Sequence, residues 1–406
     1  MGVAGIAPDC EIMPISYNFY NYDNPEIRLA KGINYAWQNG ADILSCSWRS
    51  GQHLYIDNAI NNAITNGRNG LGTVVVVASG NYNNSTVDYP SVLPGVISVG
   101  AINMCGTRCV GWHTEYNPED SLMQDCFNYW WPMEFGSNYG DHLSVVAPGI
   151  KVPTTNIVDN NWNTDKYITV FRGTSAAAPH VSGVAALLLS MRTDLTYTEV
   201  KDAIESTAQK IRTDFYDYNV SKPNGMWNEK LGYGLVDAYN AIMELCTNQT
   251  SIGSGQNITW DETTFVCDDL EIEGTLTIDA GVYFLTEEPV ITVKSGGHLK
   301  IDDGNFYLYD GLDYNGEIVV NAGGSIELLS ASELTIGGTG SILIENSSAT
   351  NGTLTYNNEA TLTLADDDTY LEIEGELEIG DNSTFTFSGD GYIKFSKPGN
   401  DLETQD

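Results

Sequence analysis

The sequence predicts a three-layer α/β domain on a parallel sheet, followed by an all-β domain of short repeated strands. Three observations predict it. Amphipathic helical patterns alternate with β-branched runs between Glu26 and Lys210, the signature of a sheet covered on both faces. Beyond Thr247 the pattern changes to short aliphatic alternations broken by Gly, Asn and Asp. Charge divides at the same place: residues 1–246 carry 24 acidic and 14 basic side chains and residues 247–406 carry 30 and 4, within a net charge of −36.

Each element has its own signal. Glu26 to Asn39 places Ile27, Ala30, Ile33 and Trp37 on one helical face and ends at Asn39-Gly40, a left-handed C-terminal cap. Ala41 to Trp48 reads as a sheet strand. Ile56, Ala59, Ile60, Ala63 and Ile64 repeat the helical spacing up to Asn66-Gly67. Leu71 to Asn81 holds the run Val74-Val75-Val76-Val77 and reads as a strand buried on both faces, ending in the turn Ser79-Gly80-Asn81. Thr196-Tyr197-Thr198-Glu199 is a capping box that opens a helix running to about Lys210.

The most informative segment is Gly173-Thr174-Ser175-Ala176-Ala177-Ala178-Pro179-His180, which runs into the apolar stretch Val181 to Leu189. Gly173 permits a sharp turn and the close approach of a substrate. Ser175 then stands among the unpaired amides of a helix N-terminus, where developing negative charge is favoured. The segment resembles the serine motif of the subtilisin-like serine proteases, G-T-S-x-A-x-P-H. That resemblance implies that Ser175 is the nucleophile of a serine endopeptidase, hydrolysing a peptide bond through an acyl-enzyme. It further implies that Asn81 donates to the oxyanion beside the Ser175 N–H. Ser45, Ser47 and Trp48, with Ser79 and Gly80, would then line the substrate groove. Gly5-Ile6-Ala7-Pro8 with Glu11 to Ile15 resembles the family's turn and strand after its histidine helix. Asp88 to Ser91 with Val96 to Ala101, Phe135 to Gly140 with Val145 to Gly149, and Leu231 to Ala238 extend the likeness over residues 2–245. The motifs leave the cleavage preference open.

A serine nucleophile of this kind needs an imidazole base and a carboxylate that orients it. The family carries both upstream, in an Asp-Ser/Thr-Gly turn and a His-Gly-Thr segment. None of His53, His113, His142, His180 and His298 is followed by Gly. The expectation is therefore an N-terminally truncated peptidase domain, with Met1 an internal start and negligible activity from this polypeptide alone. A signal peptide is expected upstream, and with it an extracellular or cell-surface location. The competing class is a non-catalytic surface-binding or structural protein that works through the β-rich domain.

The expected boundaries are a peptidase domain at 1–246, a polar linker at 247–257, an acidic β-rich repeat domain at 258–398 and a tail at 399–406. Leu270-Glu271-Ile272-Glu273-Gly274 recurs as Leu371-Glu372-Ile373-Glu374-Gly375. Such repeats suit a right-handed parallel β-helix, with a β-sandwich as the alternative. The acidic surface disfavours nucleic acid and anionic membrane as partners, and no apolar run approaches the roughly 18 residues of a membrane span. A protein or peptide substrate remains, with a cell-surface or polysaccharide ligand for the β domain. No cofactor is required. Asp302-Asp303 and Asp366-Asp367-Asp368 allow for structural calcium, although a solvated acidic face is the preferred reading because a known liganding pattern is absent. The seven cysteines are Cys10, Cys46, Cys105, Cys109, Cys126, Cys246 and Cys267. In the aromatic-rich insertion at 103–134, a disulfide is preferred over a zinc site built from Cys105, Cys109, His113 and Cys126. Cys246 and Cys267 flank the linker and are placed to pair across it.

Overall fold

The computed structural model describes residues 3–16, 24–110, 136–156, 166–246, 249–261, 263–278, 282–284, 290–294 and 297–302, and then the strands from Asn305–Leu308 to Tyr392–Phe395. The chain divides into two compact units, Met1–Glu244 and Leu245–Asp406.

In the first unit, helix α1 (Pro25–Gln38) buries Leu29, Ala30, Ile33 and Ala36, and the chain leaves it through Gly40 at φ 89°. Strand β1 (Ile43–Cys46) follows, then α2 (Leu54–Asn66), whose Ile56, Ala59, Ile60, Ala63 and Ile64 are all buried. The turn after α2 uses its glycine for space: Gly67 is extended, and a Cβ there would meet Thr73 Oγ1. Strand β2 (Val74–Ala78) is buried at every position. With β3 (Ile97–Ile102) and β4 (Val145–Pro148) it forms a parallel sheet in the order β1-β2-β3-β4. Two antiparallel pairs lie outside it, β5 (Val152–Thr155) with β6 (Tyr167–Phe171) and β7 (Val220–Lys222) with β8 (Gly225–Trp227).

Helices cover both faces of this sheet. Val75 and Val77 join the core cluster formed by α1 and α2. Strand alternation turns Val74 and Val76 to the other face, where α3 (Thr174–Met191) packs across β1, β2, β3 and β4. By length and composition alone, the 18-residue α3 is apolar enough to cross a membrane. Half of it is buried inside the unit, so covering the sheet accounts for its composition.

Two local expectations are corrected. Glu11 to Ile15 is irregular backbone, with Ile12 88% exposed, because these residues join no ladder with another described strand. Helix α4 (Tyr197–Ser206) has the predicted capping box, Thr196 with Glu199, yet stops at Ser206. Gln209 cannot continue the helix because its backbone exchanges two hydrogen bonds with Leu235, at 2.8 and 3.0 Å. Leu235 also bridges Val146 in β4, and α5 (Ala238–Met243) follows behind an Asp237 cap.

In the second unit, the described residues 249–257 of the expected linker include strand structure. Strand β9 (Ser251–Ile252) lies within them and β10 (Asn257–Trp260) begins there, followed by β11 (Thr264–Val266) and β12 (Leu270–Ile272). Strand β9 pairs with β12 and leaves Ile252 fully buried, one apolar residue that the polar composition around it conceals. From here pairing is parallel and recurs at every third strand. One sheet runs Asn257–Trp260, Thr275–Ile278, His298–Asp302, Ser325–Leu329, Thr353–Tyr356, Glu376–Ile379. A second begins at Thr264–Val266 and ends at Thr384–Phe387, and a third begins at β9 and ends at Tyr392–Phe395. The internal repeat falls on matching places: Leu371 to Ile379 spans Tyr370–Ile373 and Glu376–Ile379, the counterparts of Leu270–Ile272 and Thr275–Ile278. Leu276 stacks on Leu299 and Ile272 on Val293, all fully buried, while Glu271 and Glu273 reach Lys294 Nζ at 2.7 and 3.4 Å.

Cys246 and Cys267 form a disulfide with Cα atoms 5.8 Å apart. Cys105 is disulfide-bonded too, whereas Cys10, Cys46 and Cys109 are free. Residues 111–135, with His113 and Cys126, lie outside the described residues, as do Asp303 and Asp366-Asp367-Asp368.

Candidate active site

The carboxyl ends of β1 and β2 meet the N-terminus of α3, the end of a parallel sheet where ligands bind in open α/β folds. Gly173 turns the chain into α3 at φ 109°, and a Cβ there would stand 3.3 Å from Asn81 Nδ2. Thr174 is fully buried and is the hub. Its N–H and its hydroxyl both donate to Asn81 Oδ1, at 2.9 and 3.0 Å, and the Gly80 N–H donates to Thr174 Oγ1 at 3.2 Å. A backbone N–H must meet the oxygen of a carboxamide, so the orientation of Asn81 is fixed. Its Nδ2 makes no hydrogen bond among the described residues, which leaves the two N–H donors available beside Gly173.

Ser175 is the second residue of α3, so its N–H has no acceptor within the helix. Its carbonyl is orphaned as well, because Pro179, four residues on, has no N–H to give. Ser47 fills that vacancy: its Oγ donates to Ser175 O at 3.0 Å, and Ser175 Oγ lies 3.4 Å from Ser47 O. The proline of the motif thus frees the carbonyl that ties the start of α3 to the exit of β1.

The five expected groove residues do not all stand together. Ser47 and Gly80 touch the Thr174-Ser175 turn. Ser45 lies further along α3, accepting a hydrogen bond from Ser182 Oγ at 2.9 Å. Trp48 packs against the α1–α2 cluster, and Ser79 is fully buried with its Oγ donating to Asn138 O at 3.2 Å. Neighbouring Cys46 is also buried, which pushes its thiol up to about 12 and keeps it neutral.

Sequence reasoning gives no role to Asn138, yet it braces the whole turn. Its Oδ1 accepts from Tyr82 N and Asn84 N at 2.9 and 3.0 Å, its Nδ2 donates to Asp88 Oδ1 at 3.0 Å, and its N–H donates to Gly80 O at 2.9 Å. Thr174 was equally without a role, although a β-branched hydroxyl beside the nucleophile is a readable signal.

Among the described residues no histidine hydrogen-bonds Ser175. His53 Nδ1 accepts from Tyr55 N at the start of α2, His180 Nδ1 lies 2.9 Å from Ala176 O, His142 is exposed, and His298 is in the second unit. Among the same residues no group of three or more His, Cys, Asp or Glu is placed to hold a metal ion.

The profile of the subtilase family, peptidase S8, matches residues 1–234. The calcium-dependent protease of Trichormus variabilis is 32% identical over 267 residues, covering 59% of this chain and 37% of that protein. The thermophilic serine proteinase of Bacillus sp. (strain AK1) is 32% identical over 244 residues, covering 59% and 47%. The chain therefore spans under half the length of these two relatives. The solved prenylagaramide maturation protease PagA aligns with a TM-score of 0.43 at 25% identity, over 60% of this chain and 77% of that one.

Proposed function

Because the chain belongs to the subtilase family, we propose that its first unit is the serine-bearing part of a serine endopeptidase, with Ser175 Oγ attacking a peptide carbonyl. The observation that carries this reading is the fixed Asn81 carboxamide, whose oxygen is held by Thr174 while its N–H groups stay unengaged among the described residues. A carbonyl attacked by Ser175 would place its developing oxyanion between Asn81 Nδ2 and the Ser175 N–H. Loss of one such donor costs on the order of a hundred- to a thousandfold in turnover, a value measured in a member of this family. The acyl group then rests on Ser175 until water releases it.

The hydroxyl proton needs a base within hydrogen-bond reach. No described histidine offers one, and losing that base costs on the order of a millionfold in a family member. On this reading Ser175 stays idle in the polypeptide until an imidazole is supplied, since none of its five histidines stands in a His-Gly-Thr segment. A fluorophosphonate probe with peptide mapping tests both statements. Ser175 of the 406-residue polypeptide should stay unmodified, and should be modified when a polypeptide bearing Asp-Ser/Thr-Gly and His-Gly-Thr segments is added. Labelling without the supplement overturns the idle state, and none with it removes the peptidase reading.

The second unit is read as a right-handed parallel β-helix of three sheets. Parallel pairing at every third strand supports a coil over a β-sandwich, and right-handed crossovers are the rule between parallel strands of one sheet. Its 30 acidic against 4 basic residues suit a surface module in an extracellular setting, with a cell-surface or polysaccharide ligand. Calcium enters as a structural ion alone, on the calcium dependence in a relative's name.

A further inference from the structure

Two turns meet the Thr174-Ser175 start of α3, and each is fastened on its own. In the first, Ser47 O lies 3.4 Å from Ser175 Oγ, and the chain just beyond is fixed where the Ser50 N–H donates to Tyr89 O at 3.1 Å. In the second, Asn81 holds Thr174, and the chain beyond is fixed where the Tyr82 N–H donates to Asn138 Oδ1 at 2.9 Å and the Asn83 N–H to Gly136 O at 2.7 Å. Neither turn needs the other to keep its place.

The two turns are nevertheless joined by a pair of side chains. Arg49 Nη2 donates to the Tyr82 phenol oxygen at 2.8 Å, and the guanidinium carbon lies 4.4 Å over the centre of the same ring. Asp88 draws on the same cation, with its Oδ2 4.0 Å from Arg49 Nε. Arg49 is two residues from Ser47, at most about 7 Å of extended chain, and Tyr82 adjoins Asn81. The pair therefore crosses the gap between the turns beside Ser175. It lies largely in water, with the arginine side chain 59% and Tyr82 57% exposed. Exposed cation–π contacts are weak, so this one adds little to the hold on the turns and separates readily.

We propose that Arg49 and Tyr82 form a latch over Ser175, an autoinhibitory contact that narrows the approach to the serine until an extended polypeptide entering between the two turns parts the pair. Opening needs only a new rotamer of Arg49, because both backbones are fixed by their own hydrogen bonds. Closed, the latch admits small groups and turns bulky ones away, as a lid does. A chain lying between the turns must displace the guanidinium, and the Asp88 carboxylate draws it back when that chain leaves. Access alone is at issue, so the latch stands whether or not Ser175 is a nucleophile.

The test places a thiol where access is to be measured. The 406-residue polypeptide carrying Ser175→Cys is alkylated with iodoacetamide, a small reagent, and with N-(1-pyrenyl)maleimide, a bulky one, and the rates at residue 175 are read by peptide mapping. A thiol at a helix N-terminus has enough thiolate character to react without a base. Both reagents are uncharged, and any change in the thiol itself cancels in the ratio of the two rates. Arg49→Ala and Tyr82→Ala should each raise the maleimide-to-iodoacetamide ratio about fivefold or more, the weight of one exposed cation–π contact and its hydrogen bond. Arg49→Met, which keeps side-chain length without charge or donor, should give the same rise. Combining Arg49→Ala with Tyr82→Ala should add nothing further, because either change alone parts the pair. An unchanged ratio overturns the proposal, as does a rise for one of the two positions alone or additive rises in the double variant. Equal acceleration of both reagents would mean a loosened turn in place of a parted latch and overturns it too. A latch found in a protein whose Ser175 never takes the fluorophosphonate would remove the peptidase reading and leave the latch standing.

Discussion

The two units hold together in opposite ways. In the first, the contacts that build the site join residues far apart in the chain: Asn81 meets Thr174 across 93 positions and Ser47 meets Ser175 across 128. In the second, each strand stacks in register on the third strand before it, as Leu299 does on Leu276. A coil repeats one solution many times, and a disturbed position is still flanked by equivalents. The site has a single solution, in which one atom too many has nowhere to go.

The sharpest way to break this contrast is Gly80→Ala. Gly80 sits at φ 107°, and the added Cβ would fall 2.4 Å from both Asn138 Nδ2 and Asp88 Oδ2. Backbone strain and overpacking together should cost on the order of 4 kcal/mol, roughly 10 °C in melting for a domain of this size. Calorimetry should show the lower-lying transition moving with the first unit alone. Equal movement of both transitions would mean that the units do not respond separately.

The second unit has one non-repeating fastening, the Cys246–Cys267 disulfide, which closes 21 positions around its first strands. Replacing both cysteines by serine should destabilise that unit by about 3 kcal/mol through the loosened unfolded chain. Hydrogen exchange should quicken first in β9 to β12, because the coils beyond them keep their own neighbours. Uniform quickening along the whole unit would show that it melts as one block, with no end more exposed than another.

What could be read in advance follows the same division. The Val74 to Val77 strand and the Thr196-Glu199 capping box were legible because burial on both faces and a local hydrogen bond leave local patterns. Ser175 and Asn81 were legible from the motifs around them. The bracing by Asn138 was not, since its partners Tyr82 and Asn84 lie 56 and 54 positions away and nothing beside Asn138 announces them. The failed strand at Glu11 to Ile15 and the unforeseen β9 are mirror cases: a strand exists where a neighbour pairs with it, whatever its composition.

The smallest of these effects is Thr174→Val, which keeps the shape and deletes the hydroxyl. The backbone N–H of residue 174 would still hold Asn81 Oδ1, at 2.9 Å in the parent protein, so the carboxamide keeps its orientation. What disappears is the second donor to that oxygen and the acceptor of the Gly80 N–H, which is left without its 3.2 Å partner. An unmade hydrogen bond of this kind costs about 1–2 kcal/mol, below the Gly80→Ala effect because no atom is displaced. Urea denaturation should show that loss for Thr174→Val and recover most of it for Thr174→Ser, which restores the hydroxyl at the expense of a methyl. Should the two variants prove equally stable, the hydroxyl would contribute no more than the methyl's packing. The turn beside Ser175 would then be held without that hydroxyl, by the residue 174 N–H on Asn81 Oδ1 and by Ser47 Oγ on Ser175 O.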